Sequence, residues 1–412
     1  MNVYVIGGGA SGLMAAIVAV RRGCSVTILE HKDKIGKKIL ATGNGKCNYT
    51  NRKQTIDCYR GQDQEFAMRV YNQFNVDQTI QFFEELGIYP KERNGYVYPN
   101  SGQAQSVTDV LSLECKHLGV TIYLNTHVTK ISKTKKGYQV TTNEKTYYAD
   151  RCIIATGGCA SSKLGSDGSG YQLMKDLGHT VLKPLPALVQ LKSNAKCLKT
   201  LSGVRTDAAV RVLVNQKEVA REQGEILFAA YGLSGIPVMQ LSRFAAYYLE
   251  QKKDVTFVID LLPDFSNQQV QEELTRRWKR AEKKTAEEML IGWLNHKLNY
   301  VLLKESGIDP VSKASSISPD QLKKLGKVMK EFAFKITDTN GFDNAQTCVG
   351  GVPTKEVDAG TLESKIHKGL YIVGELLDVD GTCGGYNLQW AWSSGMVAGT
   401  AASSTGKASS KK

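Results

Sequence analysis

The residues with the plainest chemical meaning stand at the start of the chain, where Gly7, Gly9 and Gly12 form GxGxxG and Glu30 follows eighteen residues after the last glycine. In this pattern the first glycine permits a tight turn. The second removes the Cβ that would keep a pyrophosphate off the backbone, and the third lets a helix pack closely on a strand. Ala10 and Ser11 complete the helix entry, whose free amides attract phosphate charge. A carboxylate at Glu30 accepts hydrogen bonds from ribose hydroxyls and repels a 2′-phosphate. The adenosine diphosphate half of FAD or NAD therefore fits, and that of NADP fits poorly.

A second glycine cluster near the other end, Gly374-Glu375 followed by GTCGGYN, favours FAD over NAD. Glu375 is read as a partner of the ribityl chain. The amides around Gly384, Gly385, Tyr386 and Asn387 are read as facing the pyrimidine edge of the isoalloxazine. A helix N-terminus there stabilises the anionic reduced flavin by ~0.3–2 kcal/mol. On the substrate side, Tyr386 and Tyr231 are candidate donors to a developing enolate, and Arg60 is a candidate partner for a carboxylate. Cys47 and Cys383 lie beside these glycines, but the nine cysteines contain no CxxC pair. No disulfide framework, flavin-disulfide relay or zinc site is expected. Six scattered histidines likewise predict no metal site.

These residues need elements to hold them. Asn2 to Ile6 is a short run rich in β-branched residues, Leu13 to Val20 is apolar and Ala-rich, and Ser25 to Leu29 is a second buried strand. The order is βαβ. Helical spacing recurs from Gln64 to Leu86 and from Ser106 to Leu118, before strands at Val120–Leu124 and Cys152–Ala155. Tyr138–Val140 and Thr146–Tyr148 suggest a small antiparallel excursion. After Pro186 the pattern turns β-rich, with strands expected at Leu188–Leu191, Ala208–Val214, Glu218–Ala220 and Val255–Ile259. Helices are expected at Ser266–Trp278, Ala286–Leu294 and Pro319–Glu331, the last opened by Ser318. Strand character returns at Phe332–Ile336 and at Gly369–Val373.

The expected fold class is α/β: a Rossmann-like FAD-binding domain of the GxGxxG type, interrupted by an inserted β-rich substrate domain with a small helical subdomain. The expected boundaries are 1–187 and 343–402 for the FAD domain, 188–262 with 332–342 for the β-rich insertion, and 263–331 for the helical part. Residues 403–412 form a Ser/Lys-rich tail. A length of 412 residues is consistent with several cores.

The net charge of +13 raises the question of nucleic acid. The basic runs Lys32–Lys38, Lys133–Lys136 and Arg276–Lys284 are broken by Asp33, Gly36, Thr134 and Glu282. They read as solvated faces, so a small molecule is the expected partner and nucleic acid is not. No apolar stretch approaches the ~18 residues of a membrane span. A cytoplasmic setting is expected from the unpaired cysteines.

In its longer motifs the chain resembles the BaiN/RdsA-like flavoproteins, also described as YhiN-like or aminoacetone-oxidase-like. The motifs are GGGASGLMAA, ATGNGKCNYTN at Ala41–Asn51, IIATGG at Ile153–Gly158, LGSDGSGY at Leu164–Tyr171, PLPALV, GEILFAAYGLSG, VGGVPTKEVDAGTLESK and GLYIVGELLDVDGTCGGYNLQWAWSSGMVAG. The resemblance implies a two-part FAD domain with an insertion. It implies that Lys38, Thr42, Gly43, Asn44, Gly45, Lys46, Cys47 and Asn48 form a loop approaching the cofactor. Ala155, Thr156 and Gly157 match the turn near the adenosine half, and Val128 matches the strand that meets adenine. Ala229-Ala230 stands where the family pattern carries Thr-His, which leaves the proton donor open.

The resemblance further implies NAD(P)H-linked reduction of a carbon–carbon double bond conjugated to a ketone, as in steroid-like bile acid intermediates. NADH or NADPH would then be a transient electron donor. Oxidation of small amines such as aminoacetone is the alternative. A different class is a flavin-dependent tRNA-modifying protein using the basic surface, but the Arg276–Lys284 block offers only Trp278 for stacking.

Overall fold

The computed structural model describes residues 1–404, so residues 405–412 of the expected tail lie outside the described residues. The chain forms two compact units, Met1–Leu185 with the segment from Gln346 onward, and Pro186–Ala345. Each has its own apolar core.

The first unit is built on β1 (Asn2–Ile6), α1 (Ala10–Arg21), β2 (Ser25–Leu29), β3 (Thr121–Tyr123), β4 (Arg151–Ile154), β5 (Leu370–Ile372) and α2 (Tyr386–Ala402). The five strands are all parallel, in the order β5-β4-β1-β2-β3. This is the doubly wound arrangement, whose strand order reverses between β1 and β4. Val3, Val5, Ile28, Ile153 and Ile154 are fully buried, as strands covered on both faces require. Helix α1 buries every residue from Ser11 to Ala19. Its partner α2 approaches closely because it carries glycine at two contact points. A Cβ added at Gly395 would lie 2.4 Å from the Ser11 carbonyl, and one at Gly399 would lie 2.6 Å from that of Ala15.

Two expectations for this unit change. The periodic stretch from Gln64 to Leu86 is two helices, Gln64–Tyr71 and Val76–Glu85, because Asn75 forms a capping box with Gln78 and restarts the helix. The antiparallel excursion has three strands, beginning already at Val128: Val128–Thr134, Gly137–Thr142 and Thr146–Ala149.

The second unit carries a seven-stranded antiparallel sheet in the order Phe332–Lys335, Val255–Asp260, Arg205–Val214, Lys217–Ala229, Gly232–Gly235, Leu191–Lys192 and Asp338–Thr339. The strand expected at Glu218–Ala220 is the beginning of a 13-residue strand, Lys217–Ala229. Leu188 has a φ of +49°, which breaks the strand expected there. A helix at Ile236–Glu250, absent from the sequence reading, buries Val238, Leu241, Ser242 and Ala245 on one face and has Pro237 in its first turn. The run Ala286–Leu294 stops as a helix at Leu290, where Ile291 turns to extended ψ, and helix resumes at His296–Glu305. Ser318 caps Pro319–Lys330 through a box with Gln321.

Candidate functional site

The glycines of GxGxxG answer to different demands. A Cβ on Gly7 would lie 2.5 Å from the Ala155 carbonyl, and one on Gly12 would lie 2.0 Å from the Gly7 carbonyl. Both are excluded by the protein itself. A Cβ on Gly9 would meet nothing within 4 Å. It would project into an open pocket of about 1150 Å³, including solvent at its mouth, that runs along the carboxyl ends of β1 and β4. That is the place where doubly wound sheets bind ligands.

Helix α1 presents its N-terminus to this pocket. Gly9 supplies no side-chain cap and the first turn holds no acid. The first intrahelical bond is Leu13 N to Gly9 O, 2.9 Å. The amides of Ala10, Ser11 and Gly12 thus have no intrahelical acceptor, and the site fits an anion. At the end of β2 the buried Glu30 is held in place by two backbone donors, Gly8 N at 2.7 Å on Oε2 and Lys32 N at 2.8 Å on Oε1. Each oxygen keeps a second lone pair, and the carboxylate lines the pocket.

Farther along the pocket, Lys38 Nζ bonds Glu375 Oε2 at 2.7 Å and approaches Ser166 Oγ at 3.4 Å. Glu375 Oε1 accepts from Cys348 N at 3.2 Å. The Thr156 hydroxyl, also on the lining, is buried without a partner. An uncapped helix start, an anchored acid and an orphan hydroxyl around a groove that a Cβ at Gly9 would enter fit the adenosine and pyrophosphate parts of a dinucleotide. Among the described residues no group of three His, Cys, Asp or Glu is arranged to hold a metal. No described helix is long and apolar enough to cross a membrane.

Of the residues named from sequence, the pocket gathers Gly7, Gly9, Ala10, Ser11, Glu30, Lys38, Thr42, Val128, Ala155, Thr156, Gly157, Glu375 and Asn387. It does not gather Gly12, Gly43, Asn44, Gly45, Lys46, Cys47, Asn48, Gly374, Gly384, Gly385 or Tyr386. Gly43, Asn44, Gly45 and Cys47 all have left-handed φ, so this loop is a tight coil. Cys47 is buried and its thiol is pushed up to about 12 by desolvation. The pocket adds residues the sequence reading did not single out, among them Lys34, Thr126, Ser166, Gln346 and Trp390. Ser166 lies within LGSDGSGY, so its motif was visible while its role was not.

The three candidate catalytic side chains are placed differently. Arg60 pairs with Asp380 across a two-residue strand contact, and its neighbour Tyr59 packs edge-on against Tyr386 with ring centroids 6.2 Å apart. Burial holds the Tyr386 hydroxyl well above the usual phenol range, so it stays protonated. Tyr231 belongs to the inserted unit, where its ring is exposed.

The fold also joins two cysteines that no spacing rule links. The sulfurs of Cys159, just after β4, and Cys348, 189 residues later, lie 3.4 Å apart.

The family described as HI0933-like protein Rossmann domain matches residues 1–401. The chain belongs to this family. Three relatives in it span nearly the whole chain. A protein named 3-dehydro-bile acid delta(4,6)-reductase, from Clostridium scindens, is 46% identical over 403 residues, covering 97% of this chain and 98% of that protein. Proteins named ribosomal RNA dihydrouridine synthase are 32% identical in Haemophilus influenzae, covering 95% of each chain, and 30% identical in Escherichia coli, covering 95% of this chain and 96% of that one. The family match spans the insertion and all of the doubly wound unit up to residue 401.

Proposed function

We propose that this HI0933-like protein is an FAD-dependent oxidoreductase that reduces a carbon–carbon double bond conjugated to a carbonyl in a small fused-ring substrate, with NADH or NADPH as electron donor. The observation that carries this reading is the 46% identity, over 97% of the chain, with a protein named as a bile acid reductase. The pocket supports it, since its free helix start, Gly9 and Glu30 suit the adenosine diphosphate of FAD.

In this reading Gly9, Ala10 and Ser11 hold the pyrophosphate, Glu30 the ribose, and Lys38, Thr42, Glu375 and Asn387 the rest of the cofactor. When bound, FAD supplies the hydride that adds to the β-carbon of the conjugated system. The balanced reaction is enone plus NAD(P)H plus a proton to saturated ketone plus NAD(P)⁺. Tyr386 is proposed to donate that proton, because it stands at the flavin-end turn beside Asn387, which lines the pocket, and burial keeps its phenol in the protonated form. Arg60 is proposed to pair with an acidic substituent of the substrate.

The dihydrouridine synthase names supply a second reading with the same bond chemistry. A uracil ring also holds a carbon–carbon double bond conjugated to a carbonyl. The helical part of the insertion offers a basic depression lined by Arg276, Arg277, Arg280, Lys283 and Lys284, of which Arg276 and Arg277 are engaged by Glu273. Such a patch suits phosphates.

Anaerobic stopped-flow spectroscopy with NADH or NADPH, followed by a steroid 4-en-3-one, a small amine or ribosomal RNA, separates the readings. Flavin bleaching by the pyridine nucleotide and reoxidation by the enone are expected. Bleaching by the amine would instead make the protein an oxidase. Reoxidation by RNA alone would move the assignment to the second reading.

A further inference from the structure

The geometry points to Cys159 and Cys348 as a modification site at which a hydroperoxide converts two thiols into a reversible intramolecular disulfide. The pair does not depend on the identity of the bound cofactor. Its sulfurs are 3.4 Å apart, against about 2.05 Å in a disulfide. Both cysteines belong to the first unit. The amide of Cys159 also points at the Cys348 sulfur, at 3.3 Å. The two segments are therefore already in register for the bond.

The local sequence makes the approach possible. Cys159 follows Gly157, whose φ is +73°, and Gly158. A Cβ on Gly158 would lie 3.0 Å from the Tyr171 hydroxyl and 3.2 Å from the Cys348 sulfur. Any larger residue there would push the cysteines apart. Cys159 sits in a bend rather than in a ladder, so it can give the remaining ångström or so with little loss of backbone bonding. Cys348 is held in the strand Thr347–Gly351.

The two thiols are also unequal in the way such chemistry needs. Cys159 is partly exposed and Cys348 is buried. The hydrogen bond from Cys348, helped by the charge of Lys38, favours the Cys159 thiolate and outweighs its partial burial and the opposing charge of Glu375. The same hydrogen bond, together with burial, holds Cys348 as a thiol. The Cys159 thiolate is then the nucleophile. It attacks one oxygen of hydrogen peroxide, the O–O bond breaks, and hydroxide leaves as Cys159 becomes a sulfenic acid. The Cys348 sulfur next attacks the Cys159 sulfur, and the sulfenic oxygen departs as water, carrying the Cys348 proton. Two thiols and one peroxide give one disulfide and two waters. The Tyr171 hydroxyl, buried without a hydrogen-bond partner beside the pair, is placed to relay that proton, handing its own to the departing oxygen as it takes the one from Cys348, and so ends unchanged. The ordinary alternative is a thiol–thiol contact that only packs, and it predicts no such chemistry.

The test uses the full-length holoprotein, exposed to a small excess of hydrogen peroxide, alkylated with a maleimide, digested without reductant and mapped by mass spectrometry. A Cys159–Cys348 linked peptide that disappears with dithiothreitol is expected. Cys159 should react on the order of tenfold faster than Cys197, another partly buried thiol, which desolvation pushes up to about 11. In Cys348→Ser, Cys159 should accumulate as a sulfenic acid trapped by dimedone. In Cys159→Ser, Cys348 should keep its thiol under the same dose. Should Cys348→Ser fail to fold, Cys159→Ser carries the test, because its position is partly exposed. Recovery of Cys159 and Cys348 both alkylated in the wild-type protein overturns the proposal. So does oxidation of Cys348 in Cys159→Ser.

Discussion

The two glycine-rich turns of the first unit look alike in sequence and differ in what they require. At GGGASG, Gly9 borders open space, and a Cβ there would meet nothing within 4 Å. At GTCGGYN every glycine is claimed by the fold. A Cβ on Gly381 would lie 2.7 Å from the Cβ of Tyr386, one on Gly384 would lie 2.6 Å from the Tyr96 ring, and one on Gly385 would lie 2.7 Å from the Thr50 carbonyl. A glycine that the protein does not need for itself points to a ligand. One that the protein does need says nothing about a ligand. The evidence for a cofactor at the second turn therefore rests on its neighbours Glu375 and Asn387, which line the pocket, and not on the glycines.

The largest effect separates the turns directly. Gly385 has a φ of +91° as well as the clash with Thr50. Gly385→Val is expected to destabilise the protein by roughly 2–5 kcal/mol, from backbone strain and overpacking combined. Thermal or urea unfolding in the absence of added FAD reads this. A variant as stable as the parent would mean that the turn has slack and that its glycines are free for a ligand after all.

Gly9→Val is expected to do the reverse. Its unfolding midpoint should match the parent's without cofactor, while FAD affinity falls on the order of a hundredfold, ~2.7 kcal/mol. Fluorescence titration of the apoprotein gives the second number. Loss of stability with unchanged affinity would exchange the roles of the two turns.

Glu30→Gln sharpens the same site. The amide keeps the size of the carboxylate and an acceptor for one of the two backbone donors, Gly8 N and Lys32 N. What it loses is charge-assisted bonding to the ribose, worth ~1.5–3 kcal/mol. A weakening of FAD binding by about tenfold is expected, and equal binding by parent and variant would remove Glu30 from the ribose.

This contrast also explains what could be read from the sequence. The βαβ start was legible because Asn2–Ile6, the glycines and Ser25–Leu29 are local, and each residue type there has one geometric use. The pocket's far wall was only partly legible. Lys38 and Glu375 are 337 residues apart, and nothing in the local pattern around either reports their ion pair. Cys159 and Cys348 escaped for the same reason, since spacing rules detect neighbours in sequence and this pair is made where the bend after β4 meets the distant strand Thr347–Gly351. The helix Ile236–Glu250 escaped because two glycines and a proline, Gly232, Gly235 and Pro237, crowd its start and give no capping signal. The break at Asn75 was missed because the apolar period runs on across it.

The smallest predicted effect concerns a cluster whose form suggests catalysis. Ser364 Oγ lies 3.0 Å from His179 Nε2, and His179 Nδ1 lies 2.8 Å from Glu356 Oε2, the connectivity of a serine hydrolase triad. Like the glycines of GTCGGYN, it is claimed by the fold. Ser364 Oγ already accepts from the amides of Ile366 and His367, and Ser364 and His179 are both buried. No acyl group can reach that oxygen, so no hydrolysis of p-nitrophenyl acetate above the rate of Ser364→Ala is expected. The cluster should show itself in stability instead. Desolvation holds His179 below the usual imidazole range despite the pull of Glu356. Glu356, against its own desolvation, is held low by hydrogen bonds from Thr180 and His179. For both groups the unfolded chain binds protons more readily than the folded one, so stability is present at neutral pH and is lost on acidification. The loss begins near the unfolded histidine value, about 6.5, and continues through the carboxylate range. Uptake of one proton limits the slope to ~1.4 kcal/mol per pH unit. Urea unfolding between neutral pH and pH 5 should show this decline in the parent and a shallower one in His179→Gln, which keeps polar atoms in place but cannot titrate. Equal slopes in the two proteins would show that His179 takes up no proton on unfolding, and the cluster would then need a role other than holding the fold.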